Sequence, residues 1–294
     1  MNCRNIEEPI VIAEIGCNHK GNLDIAKEMI KTAAQFCNVN FVKFQKRTPK
    51  ELLTEKEYNS PHPNSENSYG KTYGEHREFL ELNINEHREL MELCREYNVK
   101  YSSSVWDLTS AKEITSLEPE CIKIPSACNL NFQLLSYIAE NFLGEIHISF
   151  GMTSQSEEKE VINFLKNKKR LNDLVIYSCV SGYPVKFEDL SLLDISRLKN
   201  EYEGYVKGIG FSGHHLGIAA DIAALTLGAR YFERHFTLDR TWKGTDHAAS
   251  LEPDGMRKLA RDLKNVSKAL TYKKKEILEV EEKQRKKLKR CFYE

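Results

Sequence analysis

Short apolar segments alternate with amphipathic stretches along most of this chain. Eight apolar segments have the length of buried strands: residues 9–16, 40–45, 100–105, 121–125, 145–150, 173–179, 205–212 and 231–236. Between them, apolar residues recur at intervals of three and four, as on one face of a helix, for example in residues 23–36, 86–97, 132–141, 157–166 and 218–227. The pattern therefore predicts strands and helices in strict alternation.

Alternation of this kind predicts parallel strands joined by right-handed crossovers. Eight such units are the number that closes a (β/α)8 TIM barrel, and we expect this form of the α/β class. An open, doubly wound sheet is the alternative architecture. It is disfavoured because no GxGxxG motif follows the first predicted strand, where a dinucleotide-binding sheet has its phosphate turn.

Two polar segments depart from the short connections found elsewhere. Residues 46–80 are rich in Asn, Ser, Pro and Tyr, and we interpret them as a lid or binding loop after the second strand, with a merely tolerated insertion as the alternative. Residues 271–294 are densely charged and have only a sparse apolar stripe. We therefore expect a barrel domain over residues 1–270 and a charged C-terminal helix or linker over residues 271–294.

The composition narrows the possible partners. The 294 residues suffice for one barrel, and 43 basic against 43 acidic residues leave no net charge to attract nucleic acid or an anionic membrane. No apolar run approaches the roughly 18 residues that a membrane span requires. The eight cysteines include no CxxC pair that would suggest a structural zinc or a redox motif, so we expect reduced thiols in a cytoplasmic protein.

Polar and glycine-rich residues gather at one end of the predicted strands. All strands except the third end in such residues, for example AEIGCNHKG at 13–21, VKFQ at 42–45 and ERHF at 233–236, whereas the strand beginnings are mostly plain. In a TIM barrel the carboxyl ends of the strands carry the active site. Polarity at one end only therefore predicts an active site at this rim.

Side-chain alternation places several of these residues on common faces. Lys43 and Gln45 share one face of the second strand, as Glu233 and His235 share one face of the eighth, so both pairs can point into the barrel mouth. His214 follows the seventh strand and His235 ends the eighth, an arrangement that suits one divalent metal ion. A satisfied core histidine is the alternative for either residue.

Two lysines lie in apolar runs at strand ends. Lys43 lies in FVKFQ and Lys123 lies in CIKIP, and a buried ammonium group is costly unless an anion pairs with it. One possible use is a Schiff base with a carbonyl substrate, and the other is a fixed cationic cradle for phosphate and carboxylate. Serine and threonine hydroxyls nearby favour the cradle, but the residues alone leave both uses open.

The motifs, taken in order, resemble those of the sialic acid synthase family. The similar segments are AEIGCNHKGN at 13–22, VKFQ at 42–45, IKIPSACN at 122–129, FGM at 150–152, GFSGHHLG at 210–217 and ERHFTLDRTWKGTDHAASLEP at 233–253, within a similarity that runs from about residue 11 to residue 269. The resemblance implies an enzyme that condenses phosphoenolpyruvate with the aldehyde form of an N-acyl-hexosamine-type sugar. The expected products are a nonulosonic acid and phosphate, and the expected cofactor is Mn²⁺, Mg²⁺ or another divalent metal.

The resemblance also implies a role for each matching residue. The metal is expected on His214 and His235, and proton handling on Glu14 or Glu233, between which the sequence does not choose. Phosphoenolpyruvate is expected to contact the cations and hydroxyls of Lys43, Lys123, Ser126, Ser154 and Ser212. The sugar is expected to contact Gln45, Tyr183 and Asp246, with Glu233 nearby.

Some residues depart from those common in the family, namely Cys128, Phe150, Ser181 and Gly213. Phe150 lacks a threonine hydroxyl that would contact an anion, and Cys128 and Ser181 predict a reshaped barrel mouth. Members typically continue into an antifreeze-like domain that swaps across a homodimer and supplies an arginine to the partner's sugar site, whereas the printed chain ends at Glu294. A trimmed chain, a companion domain on a separate polypeptide and a substrate that needs no such arginine are the alternatives, and we expect a homodimer.

Two other functions stay open on sequence alone. A metal-dependent or Schiff-base aldolase that uses pyruvate would share the barrel, the lysines and the metal but would release no phosphate. A non-catalytic sugar-binding barrel is disfavoured because so many charged rim residues are kept together. The sequence does not name the sugar: N-acetylmannosamine, a diacetamido-hexose, mannose and a phosphorylated hexosamine all fit.

Overall fold

Eight parallel strands form a closed barrel in the computed structural model, which describes residues 8–290. Each strand pairs with its neighbours in the sequence, and the eighth pairs with the first. The strands are β1 (Ile10–Gly16), β2 (Phe41–Lys46), β3 (Lys100–Val105), β4 (Cys121–Ile124), β5 (Glu145–Ser149), β6 (Leu174–Cys179), β7 (Gly208–Gly213) and β8 (Tyr231–His235). The predicted TIM barrel is confirmed.

Helices surround the barrel and connect its strands. They are α1 (Leu23–Lys31), α2 (Pro49–Leu52), α3 (Glu55–Tyr58), α4 (Tyr73–Phe79), α5 (Ile84–Glu96), α6 (Leu108–Thr115), α7 (Phe132–Asn141), α8 (Gln155–Asn167), α9 (Leu193–Tyr202), α10 (Ala219–Leu227), α11 (Pro253–Ala269) and α12 (Glu279–Leu288). All five helices predicted from periodicity are present. The first continues beyond Lys31 as a π-helical turn, Thr32–Phe36, so its predicted end at residue 36 is also confirmed.

Two apolar layers position the polar rim. The larger lies between the barrel and its helices, and it takes the outward residues of the strands, such as Ala13, Val42 and Phe44. The smaller fills the lower half of the barrel interior with Ile12, Phe41, Cys121, Val175, Tyr177 and Tyr231. Because alternate residues of a strand share a face, the inward positions that follow these residues lie nearer the carboxyl ends. The inward positions toward the carboxyl ends, such as those of Glu14, Lys43 and Lys123, therefore lie above a mostly apolar floor.

The segment between β2 and α5 is folded rather than irregular. It contains α2, α3, α4 and a 3-10 turn at Ser65–Asn67. Two contacts join it to the loop after β8: the Tyr69 hydroxyl donates to the Lys243 carbonyl at 2.5 Å, and the Gly244 amide donates to the Asn67 side chain at 3.3 Å. We call residues 46–80 the lid, because these contacts hold them against the carboxyl end of the barrel.

The C-terminal part of the described chain consists of two helices. Met256, Leu259 and Leu263 of α11 are fully buried, whereas α12 buries no residue. The division at residue 270 stays a prediction, and its last residues, 291–294, lie outside the described residues. Between residues 8 and 290, no helix is both long enough and apolar enough to cross a bilayer.

Candidate active site

Four charged side chains meet inside the carboxyl end of the barrel. Glu14 of β1 lies in register with Lys43 of β2, and Lys123 of β4 and Glu233 of β8 reach the same place from other sides. Each has at most 7% of its surface exposed. Burial of four charges in one interior is costly unless they pair with one another.

The four groups form one ion-pair network, which we call the charged cluster. The Lys43 ammonium pairs with Glu14 and lies 3.8 Å from Glu233 Oε2. The Lys123 ammonium donates to the same Glu233 oxygen at 3.0 Å, and the Ser212 hydroxyl donates to Glu233 Oε1 at 3.0 Å. Two ammonium groups and two carboxylates balance in charge, which accounts for their burial.

The two carboxyl groups of the cluster differ in their affinity for a proton. Burial raises the pKa of Glu14 above its ordinary value, although Lys43 opposes the shift. Burial also acts on Glu233, but the charges of Lys123 and Lys43 and the hydrogen bonds from Lys123 and Ser212 hold its pKa well below the ordinary value. Glu233 therefore stays ionised, whereas Glu14 is the carboxyl group that can carry a proton.

The third strand also contributes to the cluster, although the sequence argument left it out of the polar rim. The Lys43 ammonium donates to the Ser104 hydroxyl at 2.7 Å. Ser102 and Ser104 are both buried and lie in register with Lys43 and Gln45 of the neighbouring strand. The available signal was their alternate spacing in KYSSSV, which places both on the inward face.

Lys123 also contacts an aromatic ring that the sequence argument missed. Its ammonium lies 3.5 Å from the centre of the Tyr177 ring, a cation–π contact. The Tyr177 hydroxyl and His147 Nδ1 are joined at 2.8 Å, so the ring is fixed from its other end. Alternation along β6 places Tyr177 on the same inward face as Cys179, and this was the signal to use.

Small polar groups converge beside Lys123. The Gly151 amide donates to the Ser126 hydroxyl at 3.0 Å. A Cβ atom at Gly151 would lie 2.4 Å from Ser181 Oγ and 2.7 Å from Ser126 Oγ, so only glycine allows this close approach. Hydroxyls and a backbone amide beside a buried ammonium are suited to hold a small anion.

Ser154 lies apart from this group. Its side chain is exposed and forms a capping box at the start of α8, where it donates to Glu157 Oε2 at 2.8 Å. Its predicted contact with phosphoenolpyruvate stays a prediction without structural support. Ser149, at the end of β5, is buried and shares the inward face with His147, so it is the better placed serine of this connection.

The residues predicted for the sugar lie around the cluster. Gln45 donates its amide to Glu14 Oε1 at 2.9 Å. The Tyr183 ring is half exposed and lies 4.3 Å from the His214 ring and 5.8 Å from the His235 ring, measured between centres.

Asp246 is the third residue predicted for the sugar. Burial acts to raise the pKa of Asp246, but the nearby His235 and a hydrogen bond from Thr245 lower this pKa overall. Gln45 therefore contacts the charged cluster through Glu14, whereas Tyr183 and Asp246 flank the two histidines.

His214 and His235 are suited to hold a divalent metal. Their ring centres are 5.4 Å apart. His214 Nδ1 lies 3.0 Å from the Val180 carbonyl, and donation there leaves Nε2 free as a ligand. Burial lowers the pKa of His214 to about 3, which keeps the imidazole neutral. His235 Nδ1 is buried without a hydrogen-bond partner and lies 3.9 Å from Asp246 Oδ2.

Within residues 8–290, no group of three or more His, Cys, Asp and Glu side chains is arranged around one metal position. A metal on the two histidines would therefore take its other ligands from water or substrate, as open catalytic sites do. The neighbouring His215 faces away from the mouth, as strand alternation predicts. It lies 3.2 Å from the buried Asp221 carboxylate, which also pairs with Arg234.

Comparisons with known proteins agree with the barrel and the rim. Residues 29–275 match the NeuB family. The chain is 38% identical over 272 residues to N-acetylneuraminate-9-phosphate synthase of Homo sapiens, covering 92% of this chain and 74% of that protein. It is 32% identical over 266 residues to N,N'-diacetyllegionaminic acid synthase of Campylobacter jejuni, covering 90% and 78%.

A solved structure shows the same likeness in three dimensions. The N-acetylneuraminic acid (sialic acid) synthetase of Leptospira borgpetersenii, in complex with citrate, superposes with a TM-score of 0.80 at 28% identity, covering 97% of this chain and 94% of that one. The fold and the rim define a TIM-barrel enzyme that forms carbon–carbon bonds. The chain belongs to the NeuB family, whose members are nonulosonic acid synthases of the sialic acid synthase type.

Proposed function

We propose that this enzyme condenses phosphoenolpyruvate with the aldehyde form of an N-acyl-hexosamine-type sugar and releases phosphate. The observation that carries the proposal is the charged cluster beside two histidines at one rim of the barrel. The reaction needs cations for a substrate with two anionic groups, a polarised aldehyde and a group that exchanges a proton. The rim contains residues suited to each task.

Phosphoenolpyruvate is assigned to the side of Lys123 and Lys43. Its phosphate and carboxylate together carry about three negative charges at neutral pH, which demands fixed cations in a buried site. The Ser126 hydroxyl contacts the Gly151 amide and the Cys179 sulfur, on which the Lys123 charge also acts, and Ser212 is linked to Lys123 through Glu233. Bound substrate would replace part of the present ion pairing, because its anionic oxygens compete with Glu14 and Glu233 for the same ammonium groups.

A divalent ion, with Mn²⁺ expected and Mg²⁺ or another ion as alternatives, would be held by His214 and His235. When bound, it supplies Lewis-acid polarisation of the sugar aldehyde. Asp246 and Tyr183 lie next to these rings and would orient the sugar hydroxyls. C3 of phosphoenolpyruvate then bonds to the aldehyde carbon, water adds to C2, and the C2–O bond to phosphate breaks.

Glu14 is the residue assigned to proton transfer. Burial raises its pKa, so it is the carboxyl group of the cluster that can hold a proton and exchange it. We assign it to give its proton to the aldehyde oxygen as C3 bonds to the aldehyde carbon, and then, as a carboxylate, to take the proton of the water that adds to C2. Glu233, held ionised by two lysines, instead keeps both ammonium groups in place.

The proposal is tested by measuring phosphate release from phosphoenolpyruvate with a panel of N-acyl-hexosamines, with Mn²⁺ and after chelation. Release that needs both sugar and metal is expected. The exposed Lys159→Met serves as a charge-matched control for Lys123→Met, since Lys159 has no ion pair within residues 8–290. A folded, metal-loaded enzyme that releases no phosphate with any sugar would refute the proposal, and condensation with pyruvate would indicate an aldolase.

A homodimer, a cytoplasmic location and a separate antifreeze-like partner also stay predictions. Light scattering of the purified protein tests whether it is a homodimer. If a separate antifreeze-like domain is a partner, adding that domain to the enzyme should raise its turnover.

A further inference from the structure

We propose that the lid and the loop after β8 form a second anion site, which binds a phosphate monoester at the end of the acceptor sugar remote from its aldehyde. Arg77 of the lid and Lys243 of the loop are its cations. The inference rests on the proposed function, because it names the class of acceptor used at the same mouth. The comparisons leave this class open, since relatives named for a phosphorylated and for an unphosphorylated product both match the chain.

Arg77 is a half-buried guanidinium without an acidic partner among residues 8–290. Its Nε and Nη2 groups lie 3.0 and 2.6 Å from the Tyr73 hydroxyl, a neutral acceptor. The nearby Arg47 differs, because its Nε and its backbone amide both donate to the Glu81 carboxylate, at 2.6 and 2.9 Å. Of these two arginines, only Arg77 keeps its charge available for an anion.

The position of Arg77 relative to the mouth follows from its neighbours. Arg77 and Arg47 lie 6.0 and 5.8 Å from the centre of the same ring, that of Trp106, which directly follows β3 at the carboxyl end of the barrel. Arg47 Nη2 in turn lies 2.7 Å from the sulfur of Cys17, directly after β1. Arg77 therefore lies above the rim, on the side of the first three strands.

Electrostatic neighbours connect this position to the reacting end of the sugar. Burial raises the pKa of the Cys17 thiol to about 11, and the charges of both Arg77 and Asp246 also act on it. Asp246 lies 3.9 Å from His235 at the proposed metal position. The geometry gives the same direction. His235 lies in register with Glu14 of β1, and Cys17 follows β1 and contacts Arg47. Arg47 and Arg77 both lie beside the Trp106 ring. An acceptor whose aldehyde lies at the histidines would extend outward along this side toward Arg77.

Lys243 adds a second cation from the opposite element. Its ammonium lies 5.0 Å over the Tyr69 ring and has no ion pair among residues 8–290. Tyr69 donates to the Lys243 carbonyl and stacks on His76, the residue before Arg77, so one tyrosine holds both cations in the same region.

His76 lies among these cations. Burial lowers its pKa to about 4, and the charges of His62, Arg77, Arg47 and Lys243 act in the same direction. A neutral sugar hydroxyl would not compensate this charge, whereas a phosphate monoester carries between one and two negative charges at neutral pH. The same cations would not favour an uncharged acceptor end, which distinguishes the two substrate classes.

The test compares N-acetylmannosamine with its 6-phosphate as acceptors, following loss of the enol absorbance of phosphoenolpyruvate. Arg77→Met and Lys243→Met are each expected to raise KM for the phosphorylated sugar about tenfold or more, with KM for the unphosphorylated sugar within about twofold, because each removes one charge-assisted contact. Arg77→Lys should recover part of the loss. Lys50→Met is the control, since Lys50 is an exposed lid cation 3.5 Å from Glu78.

Binding separates this inference from the proposed function. Calorimetry with the sugar phosphate should show weaker binding to Arg77→Met than to the Lys50→Met control, whether or not turnover occurs. Absence of turnover with intact, Arg77-dependent binding would reject the synthase chemistry and uphold the anion site. The anion site would be overturned if Arg77→Met weakened the binding of both sugars equally, or if it left the binding of the sugar phosphate unchanged.

Discussion

Replacing Lys123 with Met removes a buried charge with little change in volume. The ammonium lies 3.0 Å from Glu233 Oε2 and 3.5 Å from the Tyr177 ring centre, and 2% of the residue is exposed. Met retains most of the apolar contact of the lysine stem, so the change leaves no large cavity. The substitution therefore tests charge rather than packing.

The expected effect on stability follows from the ion pair. At an effective dielectric constant of about 20, opposite charges 3.0 Å apart attract by about 5.5 kcal/mol. Part of this loss is offset because the variant no longer buries the ammonium group. Glu233 nevertheless stays buried, with Lys43, 3.8 Å away, as its remaining cation. We therefore expect the free energy of unfolding to fall by about 3 kcal/mol. Lys123→Met with Glu233→Gln should recover at least about 1 kcal/mol, because no unpaired carboxylate remains.

The expected effect on function is selective. Loss of a charged hydrogen-bond donor to a substrate anion is worth roughly 1.5–3 kcal/mol, so KM for phosphoenolpyruvate should rise by about ten- to a hundredfold. KM for the sugar should stay within about twofold, because Lys123 contacts Glu233 and Tyr177 and forms no hydrogen bond or ion pair with Gln45, Tyr183 or Asp246.

Two assays decide this prediction. Initial rates are measured with each substrate varied while the other saturates, and urea unfolding is measured on the metal-free proteins, with Lys159→Met as the control. Equal increases in both KM values would remove Lys123 from the phosphoenolpyruvate side. Strict additivity of the Lys123 and Glu233 substitutions in unfolding free energy would show that the 3.0 Å contact carries no coupling.

Three further changes test other parts of the site and the fold. His235→Ala should abolish metal-dependent turnover and weaken Mn²⁺ binding in calorimetry while circular dichroism stays the same; undiminished Mn²⁺ binding would exclude His235 as a ligand. Ser104→Ala removes the acceptor 2.7 Å from the Lys43 ammonium, so KM for phosphoenolpyruvate should rise roughly tenfold, and an unchanged value would mean that this bond does not orient the lysine. Burial lowers the pKa of His87 to about 3. Between pH 6.5 and about 3 the unfolded chain therefore binds a proton that the folded protein excludes. The free energy of unfolding should fall by about 1.4 kcal/mol for each pH unit of acidification in this window. Because His87 Nδ1 is joined to the Tyr101 hydroxyl at 2.6 Å, the matched change is His87→Phe with Tyr101→Phe; the slope of the unfolding free energy between pH 6 and 4 should fall by one proton, and an identical slope would contradict the assignment.

Local pattern alone predicted the strands, five of the helices and the end of the barrel at which the charged cluster lies. Apolar runs of five to eight residues mark buried parallel strands, and Lys123 in CIKIP or His235 in ERHF is visible because a charged or titratable residue is rare in such a run. Ser104 and Tyr177 were missed because serine and tyrosine are unremarkable in a strand. Their importance depends on which residue of the next strand they face, and register is a property of the closed sheet.

Long-range contacts and protonation were also beyond local pattern. The lid was expected from its length and composition, but the contact between Tyr69 and Lys243 joins residues 174 positions apart. The choice between Glu14 and Glu233 requires distances, since both are glutamates in polar motifs. Glu233 accepts from Lys123 and Ser212 and also lies near Lys43, whereas Glu14, within the described part of the chain, pairs with Lys43 alone and otherwise accepts only the neutral amide of Gln45.

The protonation difference gives the cluster a further property under the proposed function. With both lysines charged and both glutamates ionised, the four groups carry no net charge. Phosphoenolpyruvate would bring about three negative charges into the same interior, a large cost unless positive charge enters with it. A divalent ion on His214 and His235 would supply two, and a proton on Glu14, whose pKa is raised by burial, would supply the third. Binding of phosphoenolpyruvate should therefore take up close to one proton from solution near neutral pH, measurable by calorimetry in buffers of different ionisation enthalpy. Glu14→Gln should remove most of that uptake, whereas unchanged uptake in Glu14→Gln would place the proton on another group.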